Sequence, residues 1–165
     1  MNTLDRKPRV PADIERILSI PRRSGSSPDF TPYLKTPGGT MSLRPIQNEM
    51  LWQSSLASGM LGLVGVGEGK TLPSFLLPRV LKAERPLLLI PASMRVQAQA
   101  DWVTYGKHFH LPMHMEMRSY EEISTQPGLL KALRPDLIVA DEVHKLKNPK
   151  STRTRRLSKY FSWCA

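Results

Sequence analysis

The chain has 165 residues, enough for one ordinary domain with its own hydrophobic core. Hydrophobic residues make up 40% of it and charged residues 23%, which predicts a soluble globular protein. The 24 Lys and Arg residues outnumber the 14 Asp and Glu residues, so the formal net charge is +10. A surplus of this size favours a polyanionic partner, most often nucleic acid, while a basic domain without such a partner stays open as the alternative.

Cysteine usage and hydropathy bear on location. Cys164 is the only cysteine, so an intrachain disulfide is excluded and a reducing compartment is favoured. The segment Met1–Pro11 is charged and lacks the apolar stretch of a secretory signal. The longest strongly apolar run, Pro86–Ala92, is too short to span a bilayer. We therefore expect an intracellular protein, cytoplasmic or nucleoid-associated, with no membrane partner.

The first forty residues differ in composition from the rest and are predicted to be a basic N-terminal extension (1–40) preceding one domain (41–165). Ala12–Ile20 has apolar residues at helical spacing and predicts a short amphipathic helix. Pro21–Thr40 is rich in Pro, Gly and Ser, carries Arg22-Arg23 and predicts a linker that buries little surface.

Helices and short apolar strands alternate through the remainder, which predicts an α/β fold with a mainly parallel sheet covered on both faces. Predicted strands are Met60–Val64, Pro86–Ile90, Leu111–Met117 and Asp136–Ala140. Predicted helices are Ser42–Ser58, Lys70–Lys82, Ser93–Tyr105, Tyr120–Leu133 with Ser119 as its cap and a break at Pro127-Gly128, and Ser151–Phe161. The expected inward positions are Leu43, Ile46, Met50 and Leu51 in the first helix, Val96, Ala100 and Val103 in the third, and Met113, Met115 and Met117 on one face of the third strand. Trp52, Trp102 and Trp163 are expected to be core anchors.

A glycine-rich stretch, Leu63–Thr71, joins a predicted strand to a predicted helix. Gly65, Gly67 and Gly69 flank Val66 and Glu68, and Lys70-Thr71 follows. Glycines permit a tight loop whose N–H groups, together with a helix N-terminus, suit a polyphosphate. Lys70 can then reach the β- and γ-phosphates and the Thr71 hydroxyl can bind Mg²⁺. Val64 stands where the strict phosphate-loop pattern has its first glycine, and a strained linker turn is the alternative.

Two carboxylates, Asp141 and Glu142, follow the last predicted strand. The carboxyl ends of parallel strands form the ligand-binding edge of such a sheet, so these residues and the glycine loop are expected to lie at one edge. Asp141 can bind Mg²⁺ opposite Thr71, and Glu142 can orient and deprotonate an attacking water. The alternative is a strand end that carries two solvated acids.

The run Asp141–Lys150, DEVHKLKNPK, resembles the DEAH-type box of superfamily 2 helicases and translocases, and most closely the Swi/Snf-type branch. Leu43-Arg44-Pro45-Ile46-Gln47 resembles the segment that opens the ATPase core of that family, and Leu88–Trp102 resembles its second conserved segment. The resemblance covers about residues 43–156. Val64 and Val143 depart from the family pattern, which usually has an acidic residue and an alanine at these positions.

The resemblance implies the first of two RecA-like lobes, a P-loop three-layer sandwich that binds ATP and Mg²⁺ and hydrolyses ATP to move on duplex DNA. It implies that Gln47 reads the adenine edge beside Arg44, and that His144 couples nucleotide state to nucleic-acid binding. Lys70 and Glu142 are the implied catalytic residues. The basic residues expected to contact DNA are Lys145, Lys147, Arg153 and Arg155, with a solvated helix face as the alternative.

In the family, a second RecA-like lobe supplies arginine fingers across a cleft, so the 165 residues alone are expected to bind nucleotide weakly and hydrolyse it poorly. A second lobe or a partner protein is the expected source of those arginines.

The alternative function is a non-catalytic DNA- or protein-binding regulatory module. An unrelated P-loop kinase or nucleotide-binding protein is disfavoured by the DEVHKLKN run. The loose group His108, His110 and His114 is expected not to bind a metal.

Overall fold

The computed structural model describes residues 27–57, 59–62 and 67–164, and it has an α/β architecture in these ranges. The predicted helix Ala12–Ile20 and the Arg22-Arg23 pair lie outside the described residues. Two short 3₁₀ helices cover Ala92–Met94 and Val143–Leu146. The elements in chain order are α1 (Thr31–Leu34), α2 (Pro45–Ser55), α3 (Thr71–Val80), β1 (Pro86–Ile90), α4 (Arg95–Gly106), β2 (Glu116–Ser119), α5 (Tyr120–Thr125), α6 (Leu129–Leu133), β3 (Leu137–Ala140) and α7 (Thr152–Cys164).

The three strands form a parallel sheet in the order β2-β1-β3. Leu89 of the central strand lies opposite Arg118 of β2 and Ala140 of β3. Every residue of β1 is buried, as expected for a central parallel strand that has helices on both faces and therefore no polar side. The predicted α/β class and parallel sheet are confirmed.

Alternate residues of β1 supply two cores on opposite faces of the sheet. Leu88 and Ile90 pack in one cluster with Phe75 of α3, and Leu87 and Leu89 pack in another with Tyr120 of α5. The remaining buried members are Ala98 and Met115 in the first cluster, and Ile123, Leu130, Leu157 and Tyr160 in the second. Helices α3 and α4 therefore cover one face, and α5, α6 and α7 cover the other.

Hydrogen bonds tie the start of β1 to the start of β3. The Asp136 carboxylate accepts the backbone N–H groups of Glu84 and Arg85 at 2.8 and 2.9 Å. The Arg85 Nε donates to the Arg134 carbonyl at 2.7 Å. Because Asp136 caps this turn, β3 begins one residue later than predicted, at Leu137.

Residues 27–40 are not the predicted linker. Leu34 is buried in a cluster with Leu43 and Leu72, and Phe30 packs against it. The Thr31 hydroxyl accepts the Leu43 N–H at 3.0 Å, which fixes this segment to the entry of α2. Two apolar residues one helical turn apart are enough to dock the segment, and a prediction from average Pro, Gly and Ser content misses them.

The predicted face of α4 is wrong, and the predicted face of the helix Ser42–Ser58 is confirmed at Leu43 and Leu51 but not at Ile46. In α4, Val96 and Val103 are 79% and 64% exposed, and Ala98 is buried instead. Trp102 of the same helix meets Phe75 edge to face, with ring centroids 5.2 Å apart, so aromatic packing sets the orientation of α4. In α2, Ile46 is exposed and the buried residues are Gln47, Asn48, Leu51 and Ser54.

Two strand predictions and one tryptophan prediction also differ from the structure. Residues 60–62 lie outside any strand, and Leu63 and Val64 lie outside the described residues. The strand predicted at Leu111–Met117 starts only at Glu116, and Met113 is fully exposed while Met115 is buried. Trp163 is 62% exposed and is not a core anchor.

The turn from β2 into α5 contains the predicted helix cap. The Ser119 hydroxyl accepts the Glu122 N–H at 3.1 Å, and the Glu122 carboxylate accepts the Ser119 N–H at 2.7 Å. Arg118 and Arg95 both pair with the same carboxylate. Burial opposes the ionisation of Glu122. The hydrogen bonds from Ser119 and Arg118 and the charge of Arg95 outweigh the effect of burial and lower the pKa of this carboxylate.

Replacing Glu122 by glutamine removes the charge from this cap, and we expect the free energy of unfolding at pH 7 to fall by roughly 1–2 kcal/mol. In the folded protein the pKa of Glu122 lies below its ordinary value of 4.5. The Glu122 charge therefore stabilises the fold above pH 4.5, and this stabilisation is lost as the pH falls through the folded-state pKa. Urea unfolding across pH 3–7 should show the deficit shrinking at the acid end. Glu121→Gln, at an exposed position of the same turn, is the control and should show no such trend.

Candidate functional site

The carboxyl edge of the sheet brings the end of β3 to the start of α3. The Asp141 N–H donates to the Leu89 carbonyl at 2.9 Å, so β1 holds the backbone one residue past the end of β3. Asp141 and Thr71, the first residue of α3, line one small cavity with Phe75 and Ile90. The two residues predicted to bind Mg²⁺ therefore face a common space.

Lys70 and Glu142 come together at this edge although they are far apart in the sequence. Lys70 Nζ lies 3.8 Å from Glu142 Oε1, and His144 Nδ1 lies 3.0 Å from Glu142 Oε2. The side chains of Lys70 and Glu142 are 33% and 40% exposed, so both remain open to solvent and to a ligand. The predicted catalytic pair and the predicted coupling histidine thus lie in one cluster of contacting side chains.

The backbone after β3 turns sharply to present these carboxylates. Glu142 has φ +55°, a left-handed conformation that is uncommon for a residue with a side chain. Its N–H donates to Asp141 Oδ1 at 3.0 Å, and the hydroxyl of buried Tyr120 donates to the Asp141 carbonyl. Burial, with a contribution from Glu142, raises the pKa of Asp141 despite the opposing hydrogen bond and the Lys70 charge.

The described part of the glycine loop needs its glycines. Gly67 and Gly69 have φ +84° and +74°, values that residues with a Cβ rarely adopt. A Cβ at Gly69 would lie 2.6 Å from Gln47 Nε2, so the Gln47 amide would have to shift to make room for it. Glu68 is exposed, and Gly65 lies outside the described residues.

Arg44 and Gln47, at the start of α2, hold the same loop through its carbonyl groups. Arg44 Nη1 donates to the Gly67 carbonyl at 3.1 Å, and Gln47 Nε2 donates to the Gly69 carbonyl at 2.9 Å. Gln47 Oε1 accepts the Arg44 N–H at 2.9 Å, so both ends of this 5%-exposed amide are used within the chain. Sequence reasoning placed both residues at the site but missed their role in positioning the loop.

The predicted DNA-contacting residues divide into two kinds. Arg153 Nε donates to the Lys145 carbonyl at 2.8 Å, and both residues are half-buried. Lys147 and Arg155 are exposed and open to solvent. Arg153 therefore anchors α7 to the loop after β3, and the exposed cations of the group are available for phosphates.

Two histidines away from the carboxyl edge make local contacts. The ring of His108 accepts the Thr40 N–H at 3.2 Å, and His114 lies 3.6 Å from Glu116. Within the ranges that the structure covers, His, Cys, Asp and Glu side chains form no group of three or more suited to a metal ion. A Thr71–Asp141 pair is the smaller oxygen set that suits Mg²⁺ when waters and phosphates complete its coordination.

Comparisons with protein-family models, with curated proteins and with solved structures found no match to this chain. Among the described helices, none combines the length and the apolar character needed to cross a bilayer.

Replacing Gly69 by alanine should lower the free energy of unfolding by about 1–2 kcal/mol, because the left-handed backbone disfavours a Cβ and the new atom meets Gln47. Gly38→Ala is the matched control, since its Cβ would enter open space and its φ is not positive. It should change the stability by less than about 0.5 kcal/mol. Urea titrations followed by circular dichroism would measure both, and equal effects would contradict the described loop conformation.

Proposed function

We propose that the chain is the ATP-binding RecA-like lobe of a superfamily 2, Swi/Snf-type DNA-dependent ATPase. The observation that carries the proposal is the meeting of Lys70 and Glu142 at the carboxyl edge of the sheet, beside the cavity that Thr71 and Asp141 share. The DEVHKLKNPK run supports it by resemblance. The three-stranded parallel sheet with helices on both faces is compatible with such a lobe.

The residues at this edge fit a nucleotide polyphosphate and Mg²⁺. The left-handed glycines turn the loop towards the N-terminus of α3, where first-turn N–H groups lack intrahelical acceptors and favour anions. Lys70 adds a full positive charge, and Thr71 and Asp141 offer a hydroxyl and a carboxylate. Bound ATP would supply the phosphoanhydride bond, and Mg²⁺ would neutralise its developing charge.

Glu142 is the residue proposed to orient water and accept its proton. Its carboxylate faces Lys70 on one side and His144 on the other. When Lys70 pairs with a phosphate, Glu142 loses a cationic partner, which makes its carboxylate a better hydrogen-bond acceptor for water. His144 Nδ1 lies 3.0 Å from the same carboxylate, a position from which it would respond to such an exchange, in line with its proposed coupling role.

Nucleic acid is the proposed second ligand. The net charge of +10 and the exposed residues Lys147 and Arg155, close in sequence to the carboxylates, support contact with phosphates. In the proposed complete enzyme, ATP hydrolysis drives movement on duplex DNA, and a second lobe or a partner protein provides arginine fingers.

A non-catalytic DNA- or protein-binding module is the second candidate. Three predicted nucleotide-binding residues already have partners within the chain, and this favours the second candidate. Gln47 and Arg44 bond to loop carbonyls, and Lys70 faces Glu142. An adenine contact by Gln47 requires its amide to exchange these partners.

Lys70→Ala should weaken binding of a fluorescent ATP analogue at least about 10-fold, because one charge-assisted contact to phosphate is lost. Fluorescence anisotropy with the 165-residue chain measures the affinity. Lys107→Ala removes an equal charge from an exposed position at the end of α4 and should leave the affinity within about twofold. Unchanged affinity in Lys70→Ala would reject the nucleotide site.

Glu142→Gln should keep the analogue affinity within about threefold and reduce phosphate release roughly 100-fold, because a general base is removed while the phosphate contacts remain. Phosphate release is measured with and without duplex DNA, with Glu121→Gln as the carboxylate control. Equal release in Glu142→Gln and wild type would remove Glu142 from this role. Salt-sensitive DNA binding without any phosphate release would favour the module.

A further inference from the structure

A groove of about 270 Å³ opens between α5, α6 and α7, on the sheet face opposite α3 and α4. We call it the α5–α7 groove. Leu130 and Tyr160, each 6% exposed, form its floor. Leu129 and Trp163 also line it, and so do three cationic residues, Lys131, Arg156 and Lys159. None of these residues belongs to the site at the carboxyl edge.

The lining of this groove is mainly apolar, yet it is open to solvent. Trp163 is 62% exposed, and its ring centroid lies 5.9 Å from that of Tyr160. Exposed aromatic surface next to a hydrophobic floor is typical of protein interfaces, where tryptophan and tyrosine supply much of the binding energy.

The charge of the groove has one sign. Its described lining residues include three cations and no carboxylate. Arg156 Nη1 donates to the carbonyls of Ile123 and Ser124 at 2.7 and 2.9 Å, so it serves the fold. Lys131 and Lys159 are exposed and stand ready for an anionic partner.

We propose that the α5–α7 groove binds an amphipathic helix of a partner protein, with apolar residues facing the groove and acidic residues along its flanks. A groove of this size with a mainly apolar lining suits a few side-chain anchors at i, i+3 or i+4, and i+7. Glutamate or aspartate on the flanks complements Lys131 and Lys159.

Two other occupants fit less well. A second copy of the chain would bring the basic helix α7, which contains no acidic residue, towards another basic surface. Single-stranded nucleic acid would place a hydrophilic backbone against a lining that is mainly apolar. The acidic amphipathic helix matches both the apolar floor and the cationic residues of the lining, and this reasoning is independent of the proposed ATPase activity.

The test uses the 165-residue chain and a fluorescein-labelled 15-residue peptide with leucine at helical spacing and glutamate elsewhere. One control peptide has the same composition with its leucines scattered over all faces, and another has lysine in place of glutamate. We expect saturable binding of the first peptide by anisotropy and at least about 10-fold weaker binding of both controls. Equal binding of the lysine peptide would overturn the proposal.

Matched variants locate the binding. Peptide binding should be at least about 10-fold weaker in the double variant Lys131→Glu/Lys159→Glu and in the single variant Trp163→Ala. The control is Lys82→Glu/Lys107→Glu, which makes the same charge change at exposed positions outside the groove and should leave peptide binding unchanged. Circular dichroism confirms folding of each variant. An equal loss in both double variants would indicate non-specific attraction and reject the site. Displacement of the peptide by single-stranded DNA would assign the groove to nucleic acid and would also reject it.

Discussion

Burial of β1 is the constraint on which the rest of the structure depends. All of Pro86–Ile90 is buried, and parallel pairing on both sides fixes Leu89 opposite Arg118 and Ala140. With that register, Asp141 bonds to the Leu89 carbonyl, and the chain leaves the sheet where Glu142 meets Lys70. A slip of one residue would turn alternate side chains to the wrong core and displace the carboxylates from the glycine loop.

Local signals in the sequence predicted much of this framework. The apolar run of β1, the cap at Ser119 and the break at Pro127-Gly128 each depend on neighbouring residues, and all three are confirmed. The inward face of α4 was missed because this helix has apolar residues on two faces, Val96 and Val103 on one and Ala98 and Trp102 on the other. Edge-to-face packing of Trp102 on Phe75 selects the second face. The docking of residues 27–40 was missed for a similar reason, since it requires a pocket that other elements build.

The candidate site was predictable in part. Parallel topology predicts that Asp141 and Glu142, at the end of β3, lie at the carboxyl edge of the sheet. Residues 60–62, before the glycine loop, lie outside any strand, so it is the packing of α3 against β1 through Phe75 that brings Lys70 to the same edge. The hydrogen bonds from Arg44 and Gln47 to the glycine loop could not be predicted, because their acceptors are carbonyls whose direction is set by the loop conformation. Residue types alone also gave no sign of the α5–α7 groove, which three separate elements of the fold create.

The left-handed backbone at Glu142 places stability in conflict with the proposed role of its side chain. A residue with a side chain at φ +55° costs of the order of 1–2 kcal/mol, which glycine would relieve. Glycine would also remove the carboxylate that faces both Lys70 and His144. A library screened for heat resistance alone would therefore enrich glycine at this position and discard the proposed general base, so a thermal screen of this protein needs a parallel assay of its chemistry.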